Sequence, residues 1–205
     1  MKKICITGGI ACGKSSVGDL LRGLGVPVVE ADAVCHELLG LERIIRRATA
    51  CFGRRILNRQ GAVDRGVLGG IIFADSRKRQ KLNALLHPEA RRAITAWLKA
   101  QQTGGAPLAA AVIPLAYEAG WERDWDKIIC VAAPRPMQIS RLRKKGFSAA
   151  EAEARISAQM AVEEKMARAD CVIFNSGTRA DLSRQTRLVL RNLNEKVERC
   201  HGRKK

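Results

Sequence analysis

Gly8-Gly9-Ile10-Ala11-Cys12-Gly13-Lys14-Ser15 constrains this chain more than any other stretch. It satisfies G-x-x-x-x-G-K-S/T, and it lies between a predicted strand, Lys3–Thr7, and a predicted amphipathic helix, Lys14–Leu24. Val17, Leu20, Leu21 and Leu24 recur at helical spacing in that second segment. Glycines at these positions let a backbone wrap a phosphate with no Cβ in the way, so that successive N–H groups converge on its oxygens. The helix start adds partial positive charge. Lys14 can reach the β- and γ-phosphates, and the Ser15 hydroxyl can be offered to Mg²⁺. A glycine-rich turn that binds nothing would need neither the strand before it nor the helix after it.

The rest of the chain fits that start. Further apolar runs at Val26–Glu30, Ala109–Ile113, Lys127–Ala132 and Cys171–Phe174 read as strands. They alternate with helical patterns at Gln138–Lys145, Ala149–Arg168 and Arg179–Cys200, the last with Leu182, Leu188, Val189, Leu193 and Val197 on one stripe. Strand–helix–strand order implies right-handed crossovers and a parallel sheet covered on both faces, an α/β class in three layers. At 205 residues the chain is one domain with a grafted lobe. The long gap between the second and third strands makes 36–105 a mostly helical lobe, broken by Gly53, Gly61, Gly66, Gly69 and Gly70. The core is then 1–35 with 106–205, and the tail after Cys200 is short and basic.

Several function classes fall away. The Asn-Lys-x-Asp base-reading signature of GTPases is absent, as is an ABC-type signature, and Pro114 follows the third strand where a Walker-B Asp would stand. No apolar run reaches the roughly 18 residues a membrane helix requires. Met1-Lys2-Lys3 is followed by a buried-strand pattern rather than a signal-peptide core, which points to the cytoplasm. Cys5, Cys12, Cys35, Cys51, Cys130, Cys171 and Cys200 form no C-x-x-C pair and read as reduced, mostly buried thiols. What remains is the layout of a small-molecule phosphotransferase, whose lid brings cations onto the transferring phosphoryl group.

At this point the sequence resembles the dephospho-coenzyme A kinase family over nearly its whole length. The carriers are Ile6-Thr7-Gly8-Gly9-Ile10 through Gly13-Lys14-Ser15, Glu30-Ala31-Asp32, Val63-Asp64-Arg65, Phe73, and Leu86-His87-Pro88. Ile113-Pro114-Leu115-Ala116-Tyr117-Glu118, Gln138 with Arg141-Leu142, Arg155-Ile156 with Gln159, Lys165, Ala169-Asp170 and Asn175 follow in the family's order. The chain departs from the family pattern at Ala11, modestly, and at Cys12, where small residues are usual, and at Glu30, where Asp is commoner. It departs again at Lys145, where the lid usually has a second Arg, and the segment before Gly146 is one residue short. The resemblance implies a P-loop NTPase fold with a helical substrate-binding lobe and a helical lid near 136–160. It implies ATP and Mg²⁺ as cofactors and phosphorylation of the ribose 3′-hydroxyl of dephospho-CoA as the reaction. A nucleoside monophosphate or shikimate-like kinase and a nucleic-acid-binding P-loop ATPase are the alternatives.

By resemblance the catalytic set is Asp32, Lys14 and Arg141, and the substrate set is Thr7, Asp32, Arg65, His87 and Arg141. The nucleotide is assigned to Gly8 through Ser16 (Gly8, Gly9, Ile10, Ala11, Cys12, Gly13, Lys14, Ser15 and Ser16) and to Asn175, with Ser15 on the metal. Asp32, just past a strand's carboxyl end, is placed to accept a hydroxyl proton, and is equally suited to N-cap a helix over Ala33–Leu39. His87-Pro88 reads as a helix start, with a substrate or lobe-shaping role. Arg143, Lys144 and Lys145 compete to complete the lid or form a solvated basic face. Trp121 and Trp125 read as packing. The protein is expected to be a monomer without a membrane or specific nucleic-acid partner. Its net charge of +17 includes +9 carried between residues 42 and 92, which suits an anionic substrate and exceeds what binding one requires.

Overall fold

The computed structural model describes residues 1–201, with side chains throughout except at 74 and 194–201. The basic tail after residue 201, and the side chains of Val197 and Cys200, lie outside the described residues. Five strands, β1 Lys2–Gly8, β2 Val28–Glu30, β3 Leu108–Val112, β4 Lys127–Ala132 and β5 Cys171–Phe174, form one sheet in the order β2-β3-β1-β4-β5. Pairing of β1 with β3 and β4, and of β4 with β5, is parallel, with Ile6 opposite Val112 and Thr7 opposite Cys130. The chain passes from β1 to one side of the sheet and later to the other, so its switch point lies at β1, where open α/β sheets bind ligands.

The three inner strands, β3, β1 and β4, follow from double-sided burial. Every residue of β3 is buried, although Ala109-Ala110-Ala111 has helical propensity of its own; Pro107 and Pro114 bracket the run and keep it short. Helix α1, Lys14–Gly23, packs Val17 and Leu21 onto this sheet, and α9, Arg179–His201, adds Leu182 and Leu193 to the same core. Helices α6, Arg135–Lys144, α7, Ala149–Ser157, and α8, Val162–Arg168, fill the stretch between β4 and β5. The single helix expected over 149–168 is therefore two, separated by a turn at 158–161. No Gly or Pro stands there, so local propensity does not make the break.

The chain divides into two compact units, Met1–Val28 with Gln101–Lys205, and Val29–Ala100. The second contains α2, Ala31–Leu38, α3, Glu42–Phe52, α4, Arg65–Ala74, and α5, Ser76–Thr103. Three expectations are corrected here. Gly66, Gly69 and Gly70 do not break the chain but lie inside α4. They disfavour it by about 1 kcal/mol each relative to Ala, and the Asp64 carboxylate offsets this by accepting Gly66 N and Val67 N at 2.9 and 3.0 Å. Pro88 does not start a helix: α5 runs through it, giving up one backbone hydrogen bond. Asp32 is not an N-cap: α2 begins at Ala31 with Glu30 as its cap, leaving Asp32 in the first turn.

Part of the excess charge has a structural use in this unit. The Glu89 side chain is 7% exposed and receives Arg43 and Arg92 at 2.7 Å each and Arg47 at 3.5 Å. The hydrogen bond from Arg43, with the neighbouring guanidinium charges, holds its carboxyl below the ordinary glutamate value of 4.5. A depressed carboxyl stabilises the fold above its unfolded pKa, and this contribution is lost as pH falls through the folded value. Glu89→Gln is expected to lower Tm at pH 7, with the gap to the unsubstituted protein closing as pH drops through and below 4.5. A gap of constant size across thermal melts from pH 7 to pH 4 contradicts this account.

Candidate functional site

The loop after β1 has the shape its sequence requires. Gly8 has φ +139°, and a Cβ there would meet the Val131 carbonyl oxygen at 2.0 Å, because β1 and β4 pair up to this residue. Gly13 has φ +97° and caps α1 with no side chain, so the helix's first N–H groups face the loop. Ala11 also adopts positive φ, +57°, a strained choice for a residue with a Cβ. Lys14 Nζ bends back over the loop and donates to Gly8 O at 3.2 Å and Gly9 O at 2.8 Å. These carbonyls hold the ammonium against the first arm of the loop. Ser15 and Ser16 are exposed on the first turn of α1.

Two distant residues brace this loop from behind. Asn175, immediately after β5, donates through Nδ2 to Cys12 O at 2.9 Å, while its own N–H pairs with Ala132 O at 2.8 Å. Arg141, on α6, donates through Nη1 to Ala11 O at 3.0 Å and through Nη2 to Asn175 O at 2.9 Å. The Gly13 and Asn175 positions fit each other closely, since a Cβ on Gly13 would lie 2.1 Å from Asn175 Nδ2. Cys12 serves the loop through its backbone: its side chain is fully buried in the sheet core, and burial raises the thiol's pKa. Cys130 is likewise buried and pushed up to about 12, so neither is a thiolate at neutral pH. Cys51, in contrast, is exposed, and Cys35 and Cys171 are half-buried, so the expectation of mostly buried thiols holds for Cys5, Cys12 and Cys130 alone among the described cysteines.

Beside the loop's first arm lies a cavity of about 230 Å³, lined by Gly9, Ile10, Arg135, Gln138, Gln159 and Met160, among others. Gln138 is buried and donates to Ala133 O at 2.9 Å. Arg135 pairs with Glu153 and approaches Ser157 Oγ at 3.5 Å. Arg135 has no counterpart among the expected site residues. Its signal in the sequence is slight, a basic residue after Pro134 at a helix start. Thr7 is fully buried at the end of β1 and donates through Oγ1 to Pro114 O at 3.3 Å. Asp170 lies away from the cavity lining and is structural, bonding Lys127 and accepting Ile128 N at 2.8 Å. Trp121 and Tyr117 are buried, and the Tyr117 ring carries the Arg168 guanidinium 4.3 Å from its centroid, which is packing rather than an adenine platform.

The first unit thus brings together Thr7, the loop from Gly8 to Ser16, Arg141 and Asn175. Arg143, Lys144 and Lys145 lie exposed at the end of α6. Asp32, Arg65 and His87 belong to the second unit. Asp32 is exposed, with no hydrogen bond or ion pair among the described residues, and Arg65 is the exposed first residue of α4. His87 is half-buried within α5, and burial lowers its pKa, so the ring is neutral at pH 7. Among the described residues no group of three or more His, Cys, Asp or Glu could hold a metal ion. Nor is any helix long and apolar enough to cross a membrane.

The chain is similar to known proteins along most of its length. A family model described as dephospho-CoA kinase matches residues 3–181. The dephospho-CoA kinase of Anaeromyxobacter dehalogenans is 43% identical over 199 residues, covering 94% of this chain and 92% of the relative. That of Geobacillus kaustophilus is 40% identical over 190 residues, covering 92% and 94%. The solved dephospho-CoA kinase from Campylobacter jejuni superposes with a TM-score of 0.70 at 26% identity, covering 95% of this chain and 98% of that one. A phosphate loop braced by Arg141 and Asn175, on a five-stranded parallel sheet with a helical second unit, and identity of this extent lead to one conclusion: the chain belongs to the dephospho-CoA kinase family.

Proposed function

We propose that this chain transfers the γ-phosphoryl group of ATP to the ribose 3′-hydroxyl of dephospho-CoA, releasing ADP and CoA. The observation that carries this reading is the phosphate loop, with Lys14 poised over it, in a chain about 40% identical to dephospho-CoA kinases along more than nine-tenths of its length. The backbone N–H groups of Gly9 to Ser15 and the start of α1 receive the β- and γ-phosphates. Lys14 exchanges its two carbonyl partners for phosphate oxygens as they enter. Arg141 holds the loop's shape through Ala11 O, and its remaining guanidinium N–H groups offset charge on the transferring group. Asp32 takes the proton of the attacking hydroxyl, a role open to it because its carboxylate neither caps α2 nor pairs with a cation.

Mg²⁺ fits the residues present. With no carboxylate–histidine cage among the described residues and an exposed Ser15 hydroxyl at the loop's end, the ion would arrive on the nucleotide and take Ser15 as its protein ligand. When bound, it neutralises charge on the β- and γ-oxygens. In this reading 36–105 is the substrate lobe, with Arg65 and His87 on the substrate, and about 136–160 is the lid. The protein works as a cytoplasmic monomer.

A coupled ADP-release assay with dephospho-CoA, AMP, CMP and shikimate tests the proposal. Dephospho-CoA alone should stimulate turnover, by at least a hundredfold over the acceptor-free rate, in keeping with the loss of one or more catalytic groups' worth of acceleration when no hydroxyl is presented. Absence of stimulation, or stronger stimulation by another acceptor, overturns it.

A further inference from the structure

Lys165 is a fully buried side chain to which the mechanism above gives no task. Its ammonium pairs with Glu118 Oε1 at 2.7 Å and donates to Pro114 O at 2.9 Å. The same Pro114 carbonyl accepts the Thr7 hydroxyl at 3.3 Å, and the same Glu118 oxygen accepts the Met160 N–H at 3.1 Å. One hydrogen-bonded chain therefore runs from the end of β1, through the segment after β3, to the turn between α7 and α8. Gln159, Met160 and Ala161 of that turn, with Val162 at the start of α8, line the cavity that Gly9 and Ile10 also line.

The turn has no local cause. Residues 149–168 are mostly good helix formers, with neither Gly nor Pro at 158–161, and they would run on as one helix. What Glu118 offers is an acceptor for the Met160 N–H, which the interrupted helix leaves without its usual partner. An isolated buried ammonium is strongly unfavourable unless paired and hydrogen-bonded. Lys165 thus demands Glu118 at this place, and Glu118, 24% exposed at its side chain, holds the turn.

We propose that Lys165 and Glu118 are positioning residues for nucleotide binding: their ion pair holds the 158–161 turn in the lining of the cavity beside the phosphate loop, which Gly9 and Ile10 also line. The proposal rests on the phosphotransferase reading of the loop and requires only that ATP binds there, not that dephospho-CoA is the acceptor.

The test compares the unsubstituted protein with Lys165→Met, Glu118→Ala and the double variant Lys165→Met/Glu118→Leu, which removes both charges and the acceptor for the Met160 N–H. ATP affinity is measured by calorimetric titration without acceptor, with amide hydrogen exchange followed on the peptide covering 158–162. Each single variant should bind ATP at least tenfold more weakly and exchange faster in that peptide. The double variant removes both charges together, so no lone charge stays buried. It should recover most of the Tm lost by Lys165→Met while ATP affinity stays at least fivefold reduced. A merely structural pair would move Tm and leave affinity alone. ATP affinity within twofold of the unsubstituted protein, in the double variant or in any folded single one, overturns the proposal, and if Lys165→Met does not fold the double variant decides. Because affinity is read without acceptor, a failure of dephospho-CoA to support turnover would leave this result standing and strike only the substrate assignment.

Discussion

Asp32→Asn leaves ATP affinity within about twofold and lowers turnover by roughly two to four orders of magnitude, the range supplied by a positioned general base. Asparagine matches aspartate in size but cannot accept the hydroxyl proton. Its structural effect is small, because Asp32 contributes neither a cap nor an ion pair to the fold. What is lost locally is a negative charge in the first turn of α2, about 0.3–1 kcal/mol, so the melting temperature should move by only a few degrees. The measurement is kcat with saturating dephospho-CoA beside a calorimetric ATP titration. Turnover within tenfold of the unsubstituted protein removes Asp32 from the reaction. A collapse in Tm would instead assign it a structural role that the geometry does not show.

Gly13→Ala has the second large effect, through the loop itself. Alanine at φ +97° adopts backbone that disfavours a Cβ by about 1–2 kcal/mol. That Cβ would also occupy a point 2.1 Å from Asn175 Nδ2, so the carboxamide must leave. Its hydrogen bond to Cys12 O goes with it, at about 1–3 kcal/mol for a buried acceptor left unmet. Together these predict a loss of about 2–5 kcal/mol, as weakened nucleotide binding, lowered stability or both. Adding Asn175→Ala removes the clash and leaves the dihedral strain, so the double variant should regain only part of the ATP affinity. An unchanged ATP affinity and Tm in Gly13→Ala would show that the loop does not need this backbone.

The site was legible in the sequence where its chemistry is local. The phosphate loop's glycines, lysine and serine must be contiguous, because one short stretch of backbone has to surround one phosphate, and the strand before it and helix after it carry their own periodicities. The three inner strands were readable for the same reason: double-sided burial in a parallel sheet leaves short, continuous apolar runs. Less legible was whatever depends on a partner far along the chain. Asn175 reads by resemblance as a nucleotide-binding residue, and its carboxamide donates to Cys12 O, 163 residues earlier, a partner that no local pattern announces. Arg141 reads as a lid cation, and its guanidinium is on Ala11 O and Asn175 O. The glycines of α4 and Pro88 of α5 punctuate the chain by local rules, and helical packing overrides both.

The sequence alone therefore determined the phosphate-loop motif and the class of sheet that carries it, since backbone freedom, helix polarity and a lysine's reach are properties of adjacent residues. The tertiary structure decided how that loop is held rigid and where its cavity ends. Asn175 and Arg141 bond its carbonyls, and Glu118, paired with the buried Lys165, accepts the Met160 N–H where a helix that local propensity would have continued stops. Hydrogen bonds of that kind depend on where β3, β5, α6 and α8 meet in space, and no spacing along the chain encodes them. The surplus of positive charge, first a sign only of an anionic partner, has in part a resident one: Glu89, buried among Arg43, Arg47 and Arg92.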